Sequence, residues 1–101
     1  MIVRQLPGTT ADLDEAVDFY ARISPSLVEA LLDEVIAAQR RIAGFPQAWH
    51  PLGAKGLRRF VLGRFPYAII FRAKPDEILI VAYAHTRRLP GYWRSRLRAR
   101  R

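Results

Sequence analysis

Chemistry in this chain concentrates at one place. His85-Thr-Arg-Arg88 and the Tyr92-Trp93-Arg94 that follows put a histidine, three arginines and two polar aromatics on one short stretch. A histidine can move a proton near neutral pH, arginines can hold an anion in a planar fork, and tyrosine and tryptophan can stack on a flat partner. Further cations sit earlier, at Lys55, Arg58, Arg59 and Arg64. The question is which of these groups the fold can bring together.

The element that positions them is a hydrophobic hairpin. Tyr67-Ala-Ile-Ile-Phe-Arg72 and Ile78-Leu-Ile-Val-Ala-Tyr-Ala-His85 read as two strands joined by a short Lys74-Pro75-Asp76 turn. Antiparallel pairing puts Arg72 near the start of the last strand and His85 and Arg87 at the opposite end, near Arg64 and Tyr67. Eight residues of strand span roughly 26 Å, so Arg72 and His85 cannot share a compact site. The expected cluster is therefore His85, Arg87, Tyr92 and Arg64. Strict alternation would send Ile78, Ile80, Ala82 and Ala84 to one face and Leu79, Val81, Tyr83 and His85 to the other.

Upstream, Ile2-Val-Arg-Gln-Leu6 reads as a first strand ahead of Pro7-Gly8. Thr9 or Thr10 is a candidate N-cap for a helix carrying Asp12, Asp14 and Glu15 in its first turn, with Leu13, Ala16, Val17, Tyr20 and Ile23 as its apolar face. Ser24-Pro25 opens a second helix to about Ala43, with Gly44 as its terminating glycine. Leu27, Leu31, Val35, Ala38 and Ile42 form its stripe, widened by Val28, Leu32 and Ile36. Residues 45–56 read as a loop, Leu57–Leu62 as a strand, and the chain from Pro90 as a turn or helix. The expected fold class is α+β: an N-terminal strand, an antiparallel two-helix hairpin and a three-stranded antiparallel meander. One domain is expected over residues 1–101, with about 94–101 an Arg-rich, flexible tail.

Charge is unevenly placed. The chain has 17 Lys and Arg against 9 Asp and Glu, a formal net charge of +8. Residues 1–34 hold seven acids and two bases, whereas residues 35–101 hold fifteen bases and two acids. Such a cationic half suits nucleic acid, another polyanion or an acidic protein partner. There is no cysteine, so disulfides and thiol chemistry are excluded. No apolar run approaches the ~20 residues of a membrane span, and a cytoplasmic setting is expected.

The order of elements, with Ile42-Ala-Gly-Phe-Pro46, Gly56-Leu-Arg-Arg-Phe60, Pro66-Tyr-Ala-Ile-Ile-Phe-Arg72, Ile80-Val-Ala-Tyr-Ala-His-Thr-Arg-Arg88 and Pro90-Gly-Tyr-Trp93, resembles the RelE/ParE superfamily of bacterial type II toxins, nearer its ParE-like branch. The resemblance covers most of the chain. It implies a growth-inhibiting toxin of the kind tied to plasmid stabilisation, with no cofactor and no metal. Its partner would be a cognate antitoxin that docks an acidic C-terminal segment in a hetero-oligomer.

Three functions follow as alternatives. The first is a non-enzymatic poison of DNA gyrase. The second is a messenger RNA endonuclease acting on the ribosome, in which His85, Arg87 and Tyr92 activate the ribose 2′-hydroxyl, hold the phosphate and protonate the leaving oxygen. The third is a non-toxic basic module that binds nucleic acid. Arg58, Arg59, Arg64, Arg88, Trp93 and Arg94 are the candidates for target contact. Each candidate also has a structural alternative: His85 on a backbone carbonyl, Tyr92 and Trp93 packed over a sheet edge, Arg72 paired with Glu77. The nuclease pattern is incomplete, because the loop before the second strand offers only Lys55 where nuclease relatives cluster lysines.

Overall fold

A computed structural model describes residues 2–53, 56–88 and 91–98. Its elements are β1 (Ile2–Gln5), α1 (Thr9–Ala21), α2 (Pro25–Gly44), β2 (His50–Pro51), β3 (Leu57–Val61), β4 (Tyr67–Ala73), β5 (Glu77–His85) and α3 (Arg94–Arg98). The strands form one sheet in the order β1-β5-β4-β3-β2. β5, β4, β3 and β2 pair antiparallel, as a meander with short turns must. β1 lies parallel to β5, and the α1–α2 hairpin supplies the crossover that a parallel neighbour requires. The expected α+β architecture is present, with two additions: the two-residue β2 inside what reads as a loop, and the parallel placement of β1.

The helical hairpin covers one face of the sheet. Leu31, Val35, Ala38 and Ile42 of α2 and Ala16 of α1 pack with Phe60, Ile69, Phe71, Ile78 and Ile80 in the main core. The other face holds a second cluster of Leu6, Leu57, Ala68, Ile70, Leu79 and Val81, closed by Trp93 and, at its margin, Leu97. Apolar side chains on both faces make β4 and β5 buried central strands. The widening residues of the α2 stripe do not join the core: Leu32 and Ile36 are exposed, as is Ile23, which lies beyond the end of α1.

Helix α2 starts as its sequence dictates, with the Ser24 hydroxyl accepting the Ser26 N–H at 3.3 Å and Pro25 in the first turn. Its end differs from expectation. Gly44 is the last helical residue, and Phe45 caps the helix with its N–H on the Arg41 carbonyl. Helix α1 differs more. Neither threonine caps it; the N-cap is Gly8 at φ +100°, while Thr9 is buried with its hydroxyl donating to the Leu6 carbonyl at 2.8 Å. A left-handed N-cap lets β1 turn straight into α1 through the three residues Leu6, Pro7 and Gly8, and only glycine adopts this conformation without strain.

A Cβ on Gly8 would lie 2.8 Å from Nε of Arg96. Gly8→Ala should therefore cost more than about 1 kcal/mol, seen as a fall of roughly 4–8 °C in the thermal midpoint. Gly53→Ala, also at positive φ but with nothing near its Cβ position, separates the backbone term from the clash with Arg96.

Candidate functional site

Strand β5 is irregular where it matters. Ile70 pairs with Ala82 and Phe71 with Ile80, so Val81 is an extra residue, a β-bulge. The bulge reverses the alternation expected from the sequence: Tyr83 joins Ile78 and Ile80 on the helix face, and Ala82 and Ala84 join Leu79 on the other. The reversal also turns the Val81 carbonyl and the Tyr83 N–H toward the β1 side, beyond the point where β1 ends.

Buried backbone groups left there would each cost about 1–3 kcal/mol without partners. Asp12 and Arg96 supply them. Asp12 Oδ2 accepts the Tyr83 N–H at 3.0 Å, and Arg96 Nη1 donates to the Val81 carbonyl at 3.1 Å. The two side chains pair with each other through Nη1–Oδ2 at 2.6 Å and Nη2–Oδ1 at 2.9 Å, a bidentate fork. Asp12 is 4% exposed and Arg96 20%, so the pair is largely shielded from water. The Asp12 carboxylate raises the affinity of Arg96 for its proton. Helix α3, part of the segment expected as a flexible tail, is thus anchored across the chain to the first turn of α1. Residues 99–101 of that tail lie outside the described residues.

Tyr92 belongs to the same network. Its hydroxyl donates to Asp12 Oδ1 at 3.3 Å, and the Arg88 guanidinium lies over its ring, 4.0 Å from the centroid. Burial first, then the negative charge of Asp12, push the phenol up to about 12, against the opposing pull of Arg96 and Arg88. A phenol so held is a weak proton donor at neutral pH.

His85 ends β5 opposite Tyr67, as the hairpin register implied, with the two rings edge to face at 5.1 Å. Its Nδ1 accepts the Arg87 N–H at 3.0 Å, which leaves the proton of the neutral ring on Nε2. The ring borders a groove of about 320 Å³ whose other wall is α1, through Glu15, Asp18 and Tyr20. An adjoining groove of about 310 Å³ holds Arg87, Arg88 and Tyr92 together with Asp12 and Glu15. Burial and the nearby Tyr20 and Glu15 raise the Tyr67 phenol as well. The site is therefore divided, with Glu15 and Asp18 along α1 and Arg22 at that helix's end, and arginines along the segment after β5. Among the described residues no cluster of histidine and carboxylate side chains could hold a metal ion.

The other candidates scatter. His85, Arg87, Arg88 and Tyr92 come together, but Arg64 does not join them: it lies in the β3–β4 turn, its guanidinium 5.8 Å from the Phe65 ring and its N–H on Glu34 Oε2. Arg58 is occupied within the fold, donating to the Trp49 carbonyl at 2.8 Å and to Gln47 Oε1 at 2.6 Å. Trp93, read as a contact residue, is 3% exposed and packs in the second core cluster. Arg94 covers its ring at 4.9 Å. Arg59 is exposed on β3. Glu77 pairs with Arg4 and Lys74, not with Arg72. Lys55 lies outside the described residues.

Sequence reasoning missed Asp12 and Arg96 as partners. A signal existed for the first: Thr9, Asp12 and Ala16 fall on one helical face, and an acid on a face that is to be buried needs a cation.

Residues 3–90 match the family described as the ParE toxin of the type II toxin–antitoxin system parDE. The chain belongs to the ParE toxin family. It is a ParE-like toxin of the type II class, of α+β fold. Among solved structures it is similar to a chain of the chromosomal ParDE TA system from P. aeruginosa, with 24% identity and a TM-score of 0.66 over 84% of this chain and 95% of that one. Comparison with curated proteins gives no significant match. The family match spans Asp12 and His85 and stops before Tyr92, Trp93 and Arg96. The ParE-family region thus contributes one half of the Asp12–Arg96 pair, and the segment after it the other.

Asp12→Ala and Arg96→Ala should each destabilise the protein by about 3 kcal/mol in urea titrations, since each strands the other charge. The double variant should lose less than the sum of the two. The Tyr92 phenol stays protonated in the folded chain above the pH at which the unfolded chain ionises. Its contribution to stability is therefore complete below about pH 10 and is lost as pH rises toward about 12. Tyr92→Phe should remove that part of the alkaline decline, and one late step from the ultraviolet titration of phenolate.

Proposed function

We propose that this ParE-family toxin arrests growth by binding DNA gyrase and stalling it on DNA, without catalysis of its own. We further propose that a cognate antitoxin neutralises it in the cytoplasm, where both partners would meet. The observation that carries the non-catalytic reading is the state of Tyr92. The nuclease alternative requires this phenol to give a proton to a leaving oxygen, but its hydroxyl is committed to Asp12 and held near 12. The His85 groove adds to this. Its α1 wall bears Glu15 and Asp18, which outnumber the Arg22 that lines the same groove and oppose a phosphodiester approaching the imidazole.

What remains at the far end of β5 is a cationic surface. Arg87, Arg88 and Arg94 are exposed there, and Arg59 stands nearby on β3. A surface of this kind suits contact with a polyanion or with an acidic face of the target.

Purified protein added to gyrase should reduce supercoiling and accumulate cleaved DNA complexes, and His85→Ala should keep that activity. Normal supercoiling, together with defined messenger RNA cuts on translating ribosomes that His85→Ala abolishes, would instead establish the endonuclease.

A further inference from the structure

Strand β3 is covered along its outer edge for only part of its length. β2 pairs with it at Arg59 and Arg58, and the Leu52 N–H donates to the Leu57 carbonyl. On the inner side the Gly56 carbonyl accepts from Ala73, and the Leu62 N–H donates to Tyr67. Backbone groups of a paired strand alternate between its two edges, so Gly56, Arg58, Phe60 and Leu62 serve β4 while Leu57, Arg59 and Val61 face outward. The β2 register would place Ala48 opposite Val61, but the Ala48 N–H is turned back onto the Phe45 carbonyl. The N–H and C=O of Val61 therefore form an open strand edge, and its side chain is exposed as well.

Helix α2 runs beside this opening. Between them lies a groove of about 240 Å³, lined by Glu34, Ala37 and Arg41 of α2 and by Phe60, Val61 and Gly63. Its two ends carry opposite charges. At the Gly63 end, Glu34 Oε2 accepts the Gly63 N–H at 2.6 Å and the Arg64 N–H at 3.1 Å, while Oε1 is buried with no hydrogen-bond partner. At the Phe60 end the Arg41 guanidinium lies 5.2 Å from the Trp49 ring centroid and 5.7 Å from that of Phe60. The ion pairs among the described residues include neither Glu34 nor Arg41. One acid and one base leave the groove neutral overall. What it selects is the order of charges along an occupant, not a net charge.

An open edge beside a helix takes an extended peptide as an added strand, with main-chain hydrogen bonds for affinity and alternate side chains for specificity. Antiparallel to β3 and in line with β2, such a strand passes from Gly63 toward Phe60. Its residue opposite Val61 lies on the Val61 face of the sheet, where a β-branched side chain packs well. The residues before and after it point to the other face, that of Phe60 and α2, and so toward Glu34 and Arg41 in turn. We infer that the α2–β3 groove docks an extended segment of a protein partner with the order basic, β-branched, acidic, added as a strand at Val61. The cation meets Glu34 and the carboxylate meets Arg41. This site shares no residue with the grooves at the end of β5, and it does not depend on the gyrase reading.

The probe is a labelled, end-capped peptide Thr-Lys-Val-Glu-Thr, titrated with the full chain and read by fluorescence anisotropy. Thr-Glu-Val-Lys-Thr has the same composition with the charges exchanged, and should bind about tenfold more weakly, the worth of one charge-assisted contact. Glu34→Gln keeps an oxygen for the Gly63 and Arg64 N–H groups and removes the charge. It should weaken the first peptide about tenfold and erase its advantage over Thr-Gln-Val-Glu-Thr. Val61→Pro removes the outward N–H, leaves the ladder to β4 intact and should abolish binding. Amide hydrogen exchange on the parent chain makes the test independent of how that variant folds. Saturating peptide should slow exchange at Val61 about tenfold.

Equal affinity for the two charge orders, or no measurable binding of either, would overturn the inference. So would an all-acidic Thr-Glu-Val-Glu-Thr peptide that binds as tightly as the first, or exchange at Val61 that saturating peptide leaves unchanged. Protection of Val61 without peptide at high protein concentration, with dimers in sedimentation, would also overturn it and give the edge to a second copy of this chain.

Discussion

Strand β5 is an interior strand of the sheet, between β1 and β4, and it is longer than β1, the neighbour that covers one of its edges. β1 ends near Leu6, whose N–H makes the last ladder bond to the Ile80 carbonyl. From Val81 onward the β1 side of β5 has no strand to pair with. The protein resolves this with side chains: Asp12 from the first turn of α1 and Arg96 from α3 act as a polar substitute for the missing strand. Backbone groups in a sheet interior must be satisfied, and here one bidentate ion pair meets that need while fixing two helices to the sheet.

Several features follow from that arrangement. Gly8 must be a glycine, because its left-handed turn delivers Asp12 to the edge and leaves room for Arg96. Tyr92 is drawn in by the same carboxylate, and this commits a hydroxyl that would otherwise be open to chemistry. Trp93 and Leu97, flanking the anchored arginine, close the second core cluster. Tyr83 is tied from both sides as well, accepting from Gln39 of α2 and donating to Gln5 of β1, each at 2.8 Å. The carboxyl end of β5 is therefore tied to α1, α2, α3 and β1 by polar contacts over long sequence distances. What it offers outward is cationic side chains on a fixed frame.

The polar side chains of this end divide into those engaged within the fold and those exposed to solvent. Asp12, Arg96, Tyr92, Arg58 and Trp93 are engaged within the fold. Arg59, Arg87, Arg88 and Arg94 are exposed. Arginine serves both purposes, since the planar fork that pairs Asp12 is equally suited to a partner's carboxylate. On the helix side of this end of the molecule Glu15 and Asp18 line a groove together with Arg22.

Much of this protein was legible in its sequence because the signals are local. Hydrophobic periodicity marked the α2 stripe at Leu31, Val35, Ala38 and Ile42, the Ser24-Pro25 pair marked its start, and the apolar runs marked β4 and β5. A short turn between those runs also dictated that His85 faces Tyr67 and that Arg72 lies far away. The ParE resemblance rested on the order of those pieces. Only the tertiary structure decided which cations are free. One inserted residue at Val81 reversed the side-chain parity of the strand's end, and periodicity cannot reveal a bulge because the sequence stays hydrophobic through it. Asp12 and Arg96 meet across 84 positions, and charge pairing at that distance leaves no trace in local pattern. Arg58 and Arg59 are neighbours in sequence and identical in chemistry. One is bound to the Trp49 carbonyl and the other is exposed, because successive residues of a strand point to opposite faces.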